Sequence, residues 1–198
     1  EAEKVALDYL GKIERAQLKE KANWDMFNKY INDVDSDIFR YVYDNRNEFA
    51  GLFGEKEVKA KIRKVWTLGA NRYVTGEGEE VVYDQKGFKK YVKRLSKADV
   101  DGKTDIIENA RTNAEKLGDW KTYIALGSEQ LKNGKVGDLV LYNWGLRINR
   151  GCKDSALRMQ AAQWFDDAAA KSKEGPMSFK VYFERVANDL KQDYKESK

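Results

Sequence analysis

A single proline among 198 residues leaves little except Gly, Asn and Asp to interrupt a helix. Apolar residues recur at three- and four-residue steps between stretches rich in Lys and Glu, which favours helices over strands. Val5, Leu7, Tyr9, Leu10, Ile13, Ala16 and Leu18 lie near one face of what reads as one long amphipathic helix. Asn23 is placed to cap a short helix carrying Trp24, Phe27, Tyr30 and Ile31, which Asp33 to Asp35 end. Ser36 is placed to cap the next, with Ile38, Phe39 and Val42 inward. After a break at Gly51 to Gly54, Val58, Ile62, Val65 and Trp66 mark a fourth helix. Phe88, Tyr91, Val92 and Leu95 mark another, and residues 75–83 are left as a loop, although Val81, Val82 and Tyr83 could form a brief extended piece.

From Asp101 the rhythm is regular. Helices fit 103–117, 119–133, 137–149, 153–173 and 178–194, with Gly118, Gly134, Gly151 and Gly175 near the breaks, where a left-handed residue closes a helix. Lys116-Leu117-Gly118-Asp119-Trp120 with Tyr123 is echoed 19 residues later by Lys135-Val136-Gly137-Asp138-Leu139 with Tyr142. Each copy is expected to start its helix at the same docking point. Such hairpins are the unit of α-solenoids. The expected fold is therefore all-α: antiparallel helix pairs in a tetratricopeptide-like, right-handed α-α superhelix. It forms a single helical-array domain over 1–198, with a seam at 75–83 between an N-terminal lobe (1–75) and a C-terminal lobe (84–198).

Absent residue types exclude several chemistries. Without His there is no Ser/His/Asp triad, no His-ligated zinc and no imidazole base. Cys152, the one cysteine, allows neither an internal disulfide nor a CxxC centre; its place before a helix could lower its pKa, though a small buried thiol is the simpler reading. Asp99 to Asp105 resembles a calcium loop, but Gly102 is fourth and Ala110 twelfth, where Gly at six and Glu at twelve are required, so a turn is expected. Gly76-Glu77-Gly78 and Gly127-Ser128 make no phosphate cradle and read as turns or helix-packing positions. The pairs Glu79/Glu80 and Asp166/Asp167 diverge by about 100° on a helix and do not converge on one substrate. No catalytic residue, metal ligand or cofactor is assigned. No stretch is apolar enough to span a bilayer, and a chain that opens at Glu1 inside an amphipathic pattern reads as cut from something upstream.

Charge points to two candidate surfaces. The net charge of +4 is shared evenly, 20 basic against 18 acidic residues in 1–100 and 17 against 15 in 101–198, so no nucleic-acid partner is expected. Residues 86–97 nevertheless hold six basic residues and no acid; Lys89, Lys90, Lys93 and Arg94 form a basic patch that suits an anionic surface, against the simpler reading of a solvated face. Within 137–149 and just beyond, Tyr142, Asn143, Arg147, Asn149 and Arg150 surround the inward residues with hydrogen-bonding groups suited to a peptide, so this helix is expected to line any concave groove.

Residues 20–66 also carry a motif. Asn23-Trp24-Asp25-Met26-Phe27-Asn28-Lys29-Tyr30-Ile31-Asn32-Asp33, then Ser36, Phe39-Arg40-Tyr41-Val42, Asn45-Arg46, Phe49 and Leu52-Phe53-Gly54, resembles the helical region that follows the thioredoxin-like domain of exported thioredoxin-family proteins. The catalytic CxxC is absent, and Phe53 stands where the family pattern has Tyr. The resemblance implies an exported accessory region of a thiol-disulfide protein, with an adjacent thioredoxin-like domain as one partner. Function is thus expected to be a non-catalytic module holding a protein or peptide. The alternatives are an enzyme with a carboxylate, Lys or Tyr site in a helical cleft, and a polyanion binder through 86–97.

Overall fold

The computed structural model describes residues 1–75, 82–133, 136–173, 175 and 178–193. The Gly76 to Val81 stretch with Glu79/Glu80, Gly134 and the last residue of the 178–194 helix lie outside the described residues. The described residues are helical except for connections and one antiparallel pair of two-residue strands, β1 (Val74–Thr75) and β2 (Val82–Tyr83), with Val74 opposite Tyr83. The chain forms two compact units, Glu1–Ala110 and Arg111–Lys198. Of the expected seam at 75–83, residues 76–81 lie outside the described ones.

Unit 1 holds α1 (Ala2–Lys12), a 3-10 turn (Arg15–Lys19), α2 (Lys21–Tyr30), α3 (Asp37–Asp44), α4 (Arg46–Phe53), α5 (Glu55–Gly69) and α6 (Gln85–Lys97). α7 (Lys103–Lys116) contains the boundary. The single long helix expected at the N-terminus is divided: Ile13 is extended, and Glu14 and Gln17 form a reciprocal capping box that starts the 3-10 turn. Asn23 is not a cap, because α2 begins at Lys21; its buried amide instead donates to the Gln17 carbonyl at 2.9 Å. Ser36 does cap α3, accepting from the Phe39 N–H at 3.1 Å. Gly51 lies inside α4, and the break falls at Gly54 alone, whose φ of +96° favours glycine. Trp24 stacks on Phe53 at 4.7 Å and donates its indole N–H to Glu57, so one aromatic joins α2, α4 and α5. The three aspartates of the calcium-like loop pair with cations, Asp99 with Arg46, Asp101 with Lys59 and Asp105 with Arg63. That loop is a turn, with Gly102 left-handed at φ +70°.

Unit 2 holds α8 (Trp120–Asn133), α9 (Asp138–Gly151), α10 (Ser155–Lys171) and α11 (Lys180–Lys191). α10 packs on α8, α9 and α11, and α11 packs on α9. Gly145 permits this closeness, since a Cβ there would run into Phe165 of α10 and Val186 of α11. The two copies of the internal echo do not dock alike. Asp119 caps α8 by accepting from the Thr122 N–H, and Tyr123 is fully buried; Asp138 is already helical, and Leu139 is 61% exposed.

Helix ends are where this chain departs most from expectation. Gly118 is left-handed (φ +66°), but Gly151 lies inside α9, and α1, α2, α6, α9, α10 and α11 all end on extended residues. An extended ending leaves the last carbonyls without a local partner. Donors from elsewhere serve several of these carbonyls, and also α5, which ends in helical backbone at Ala70. Lys61 of α5 reaches the Asn28 carbonyl in α2 at 2.8 Å, Tyr91 reaches Trp66 O of α5 at 2.7 Å, and Lys103 reaches Ser96 O of α6 at 2.6 Å. Arg158 donates to Asn149 O of α9 at 3.2 Å and to Asp189 O of α11 at 2.7 Å.

Lys61 illustrates the cost of such a contact. Burial, reinforced by the nearby Lys64, holds its pKa down to about 8 from an ordinary 10.5. Between those two values the unfolded chain binds more protons at this residue than the folded chain, so stability rises with pH across the window. Burial acts oppositely on the Cys152 thiol, pushing it up, so the comparison must be made against a variant. We expect the urea-unfolding free energy of the native chain, minus that of Lys61→Met, to rise between pH 8 and pH 10; a flat difference would show that Lys61 is not held deprotonation-prone by the fold.

Candidate functional site

A groove of about 1010 Å³ lies in unit 2 between α8, the start of α9 and α10. Leu131 of α8, Leu141 of α9 and Trp164 and Ala168 of α10 give it an apolar floor, while Lys132, Lys171 and Lys173 face Asp138 and Asp167 along its rim. Trp164 is set by a succession of contacts. The buried guanidinium of Arg111 lies 3.8 Å from the Trp144 ring centre and donates to the Tyr123 hydroxyl at 2.6 Å. Trp144 in turn meets Trp164 edge to face at 6.1 Å. From the other side, Gly127 of α8 leaves room for the indole: a Cβ there would stand 2.6 Å from a Trp164 ring carbon.

The residues expected to line a groove fall on two faces of α9. Tyr142 and Asn149 turn towards the neighbouring helices: Tyr142 meets Tyr182 at 5.7 Å and Phe179 at 6.4 Å, and Asn149 accepts from Arg158 through both its carbonyl and its side chain. Asn143, Arg147 and Arg150 are exposed on another face, with Arg147 paired to Glu115 at 2.6 Å. None of the five lines the groove, to which α9 contributes Asp138 and Leu141. The groove residues that sequence reasoning missed, Leu131 and Lys132 above all, carry no motif. Their one signal is Gly127, a glycine inside a helix that needs a close neighbour to justify it.

Lys89, Lys90 and Lys93 are exposed, whereas Arg94 is drawn inward, paired with Asp35 at 2.6 Å and lying over the Trp66 ring at 5.9 Å. A second cleft, of about 620 Å³ in unit 1, is lined by Arg46, Glu55, Lys59, Asp99 and Asp101, all held in the ion pairs of the loop above and of Lys59 with Glu55. Asp166 pairs with Lys191, and Asp167 accepts from Gln163, so these neighbours serve different partners. Cys152 is buried and its thiol pKa is raised by burial, against the lowering that a helix start could have produced. Among the described residues no helix is long and apolar enough to cross a membrane, and no group of three His, Cys, Asp or Glu is placed to hold a metal ion.

No family model matches the chain, and no curated protein or solved structure matches it either.

The Gly127 contact is tested by two alanines of opposite sign. Gly11→Ala in α1 meets nothing within 4 Å and should stabilise the chain by up to about 1 kcal/mol. Gly127→Ala overpacks against Trp164 and should destabilise it by about 1–3 kcal/mol, with a shifted tryptophan emission. Equal effects from the two alanines would contradict the packing described.

Proposed function

We propose that the chain is a non-catalytic interaction module of tetratricopeptide-like helix pairs, whose unit 2 groove holds an extended or helical segment of a protein partner. The carrying observation is the Trp164 floor, an apolar ring kept 9% exposed at the base of a concavity by Gly127 on one side and Trp144 on the other. Recognition grooves combine such an aromatic anchor with a polar rim. The mixed rim of Lys132, Lys171 and Lys173 with Asp138 and Asp167 would fix the direction of a peptide more than its affinity. The superhelical reading is supported by the packing order in unit 2, where α10 rests on both preceding helices and α11 does the same. The accessory role beside a thioredoxin-like domain, and an exported location, rest on the residue 20–66 motif alone.

A displayed library of random peptides selected on the whole chain tests the reading. Selected peptides should quench or shift tryptophan emission and should lose at least tenfold in affinity for Ala168→Arg, which fills the groove from a half-buried position while leaving the far-ultraviolet circular dichroism unchanged. Peptides that bind this variant as tightly as the native chain would place recognition elsewhere and overturn the proposal.

A further inference from the structure

α6 carries six basic residues and no acidic one. The last turns of α1, α2, α7, α9, α10 and α11 each carry a basic residue, where the negative end of the helix dipole welcomes it. α6 also ends on Arg94 and Lys97, but it places Lys86, Lys89 and Lys90 in its first two turns, with no acidic residue in the first turn. There the dipole opposes them, offset in part by the Asp84 carboxylate, which caps the helix by accepting from the Gly87 N–H. They also oppose each other, because Lys86 and Lys90, like Lys89 and Lys93, stand one turn apart with like charge. Among the described residues Lys86, Lys89, Lys90 and Lys93 make no ion pair, whereas Arg94 on the same helix is paired with Asp35. The four lysines and Gln85 line one shallow trough of about 440 Å³.

Like charges crowded one turn apart on one face are relieved by an anion. We infer that this face of α6 binds a linear, multiply charged polyanion of the sulfated or carboxylated polysaccharide class. The four ammonium groups span about 10 Å of helix, which matches a chain with repeated charges rather than one small ion. The face offers no ring on which a nucleobase could stack, because Phe88 and Tyr91 are fully buried. Nor does the outward side of α6 carry an apolar residue to enter a bilayer, because Phe88, Tyr91 and Leu95 are spent on the core. This surface belongs to unit 1 and is independent of the unit 2 groove.

The test uses the whole chain and heparin as the probe, with binding followed from 50 to 300 mM NaCl. The native chain should bind at low salt with steep salt dependence. Lys89→Gln with Lys93→Gln should weaken binding about tenfold at 50 mM and lower the slope of log K against log salt by about two, one per lysine removed. The same variant should melt no lower than the native chain, because it removes like-charge repulsion. Lys4→Gln with Lys56→Gln, an equal loss of charge at exposed residues of unit 1, should leave binding within about twofold. Three results would overturn the inference: no salt-sensitive binding at 50 mM, an equal loss from the control pair, or equal affinity for a single-stranded oligonucleotide or for phosphatidylserine vesicles.

Discussion

Arg158 is buried to 2% exposure, and its guanidinium ends two helices at once. It donates to the Asn149 and Cys152 carbonyls at the end of α9, to the Asn149 side chain, and to the Asp189 carbonyl near the end of α11. Burying a charge costs several kcal/mol, roughly, and at this site the carbonyl ends of two helices converge on it. The same constraint recurs throughout the chain. Carbonyls in the last turns of several helices are met by donors from other elements: Lys61 for α2, Tyr91 and Asn109 for α5, Lys103 for α6. Tertiary structure and helix termination are therefore one problem here. The donors that close a helix also fix what packs beside it.

That coupling explains which parts of the fold can be read from sequence. α7 to α11 fall within a few residues of their expected ranges, because three- and four-residue spacing reports directly on a buried face. Buried Ile38, Phe39, Val42, Val58, Ile62, Val65, Phe88, Tyr91 and Leu95 follow for the same reason. The N-terminal helix was divisible only by noticing that Glu14 and Gln17 form a capping box inside an otherwise continuous amphipathic pattern. Left-handed glycine endings were the wrong rule for most helices, since long-range donors replaced them, and a long-range donor leaves no local pattern. Of the paired strands, β2 falls in the apolar Val81 to Tyr83 run that allowed an extended piece, whereas β1, at two residues, leaves no pattern.

The candidate site was less legible than the fold. Tyr142 and Asn149 have the chemistry of a peptide-binding surface, but both are used to join α9 to its neighbours. The groove is made instead by helices from two different hairpins, and what shapes it is a missing side chain at Gly127 and a cation–π contact at Arg111. Neither is a motif. In contrast, the lysines of α6 could be counted from sequence, yet only the structure separates Lys86, Lys89, Lys90 and Lys93, which make no ion pair among the described residues, from Arg94, which is committed to Asp35. Function in this chain is thus sought where the rules of helix charge and packing are broken, at the start of α6 and on the floor against α8.

The dependence of unit 2 on its helix ends is tested most directly by native-state hydrogen exchange on Arg158→Met, which keeps an apolar stem but removes the donors. Amides in the last turns of α9 and α11 should lose protection together, with α10 following because it packs on both. Loss confined to one of the two helices, or protection unchanged in both, would contradict the account that a single buried guanidinium closes them jointly.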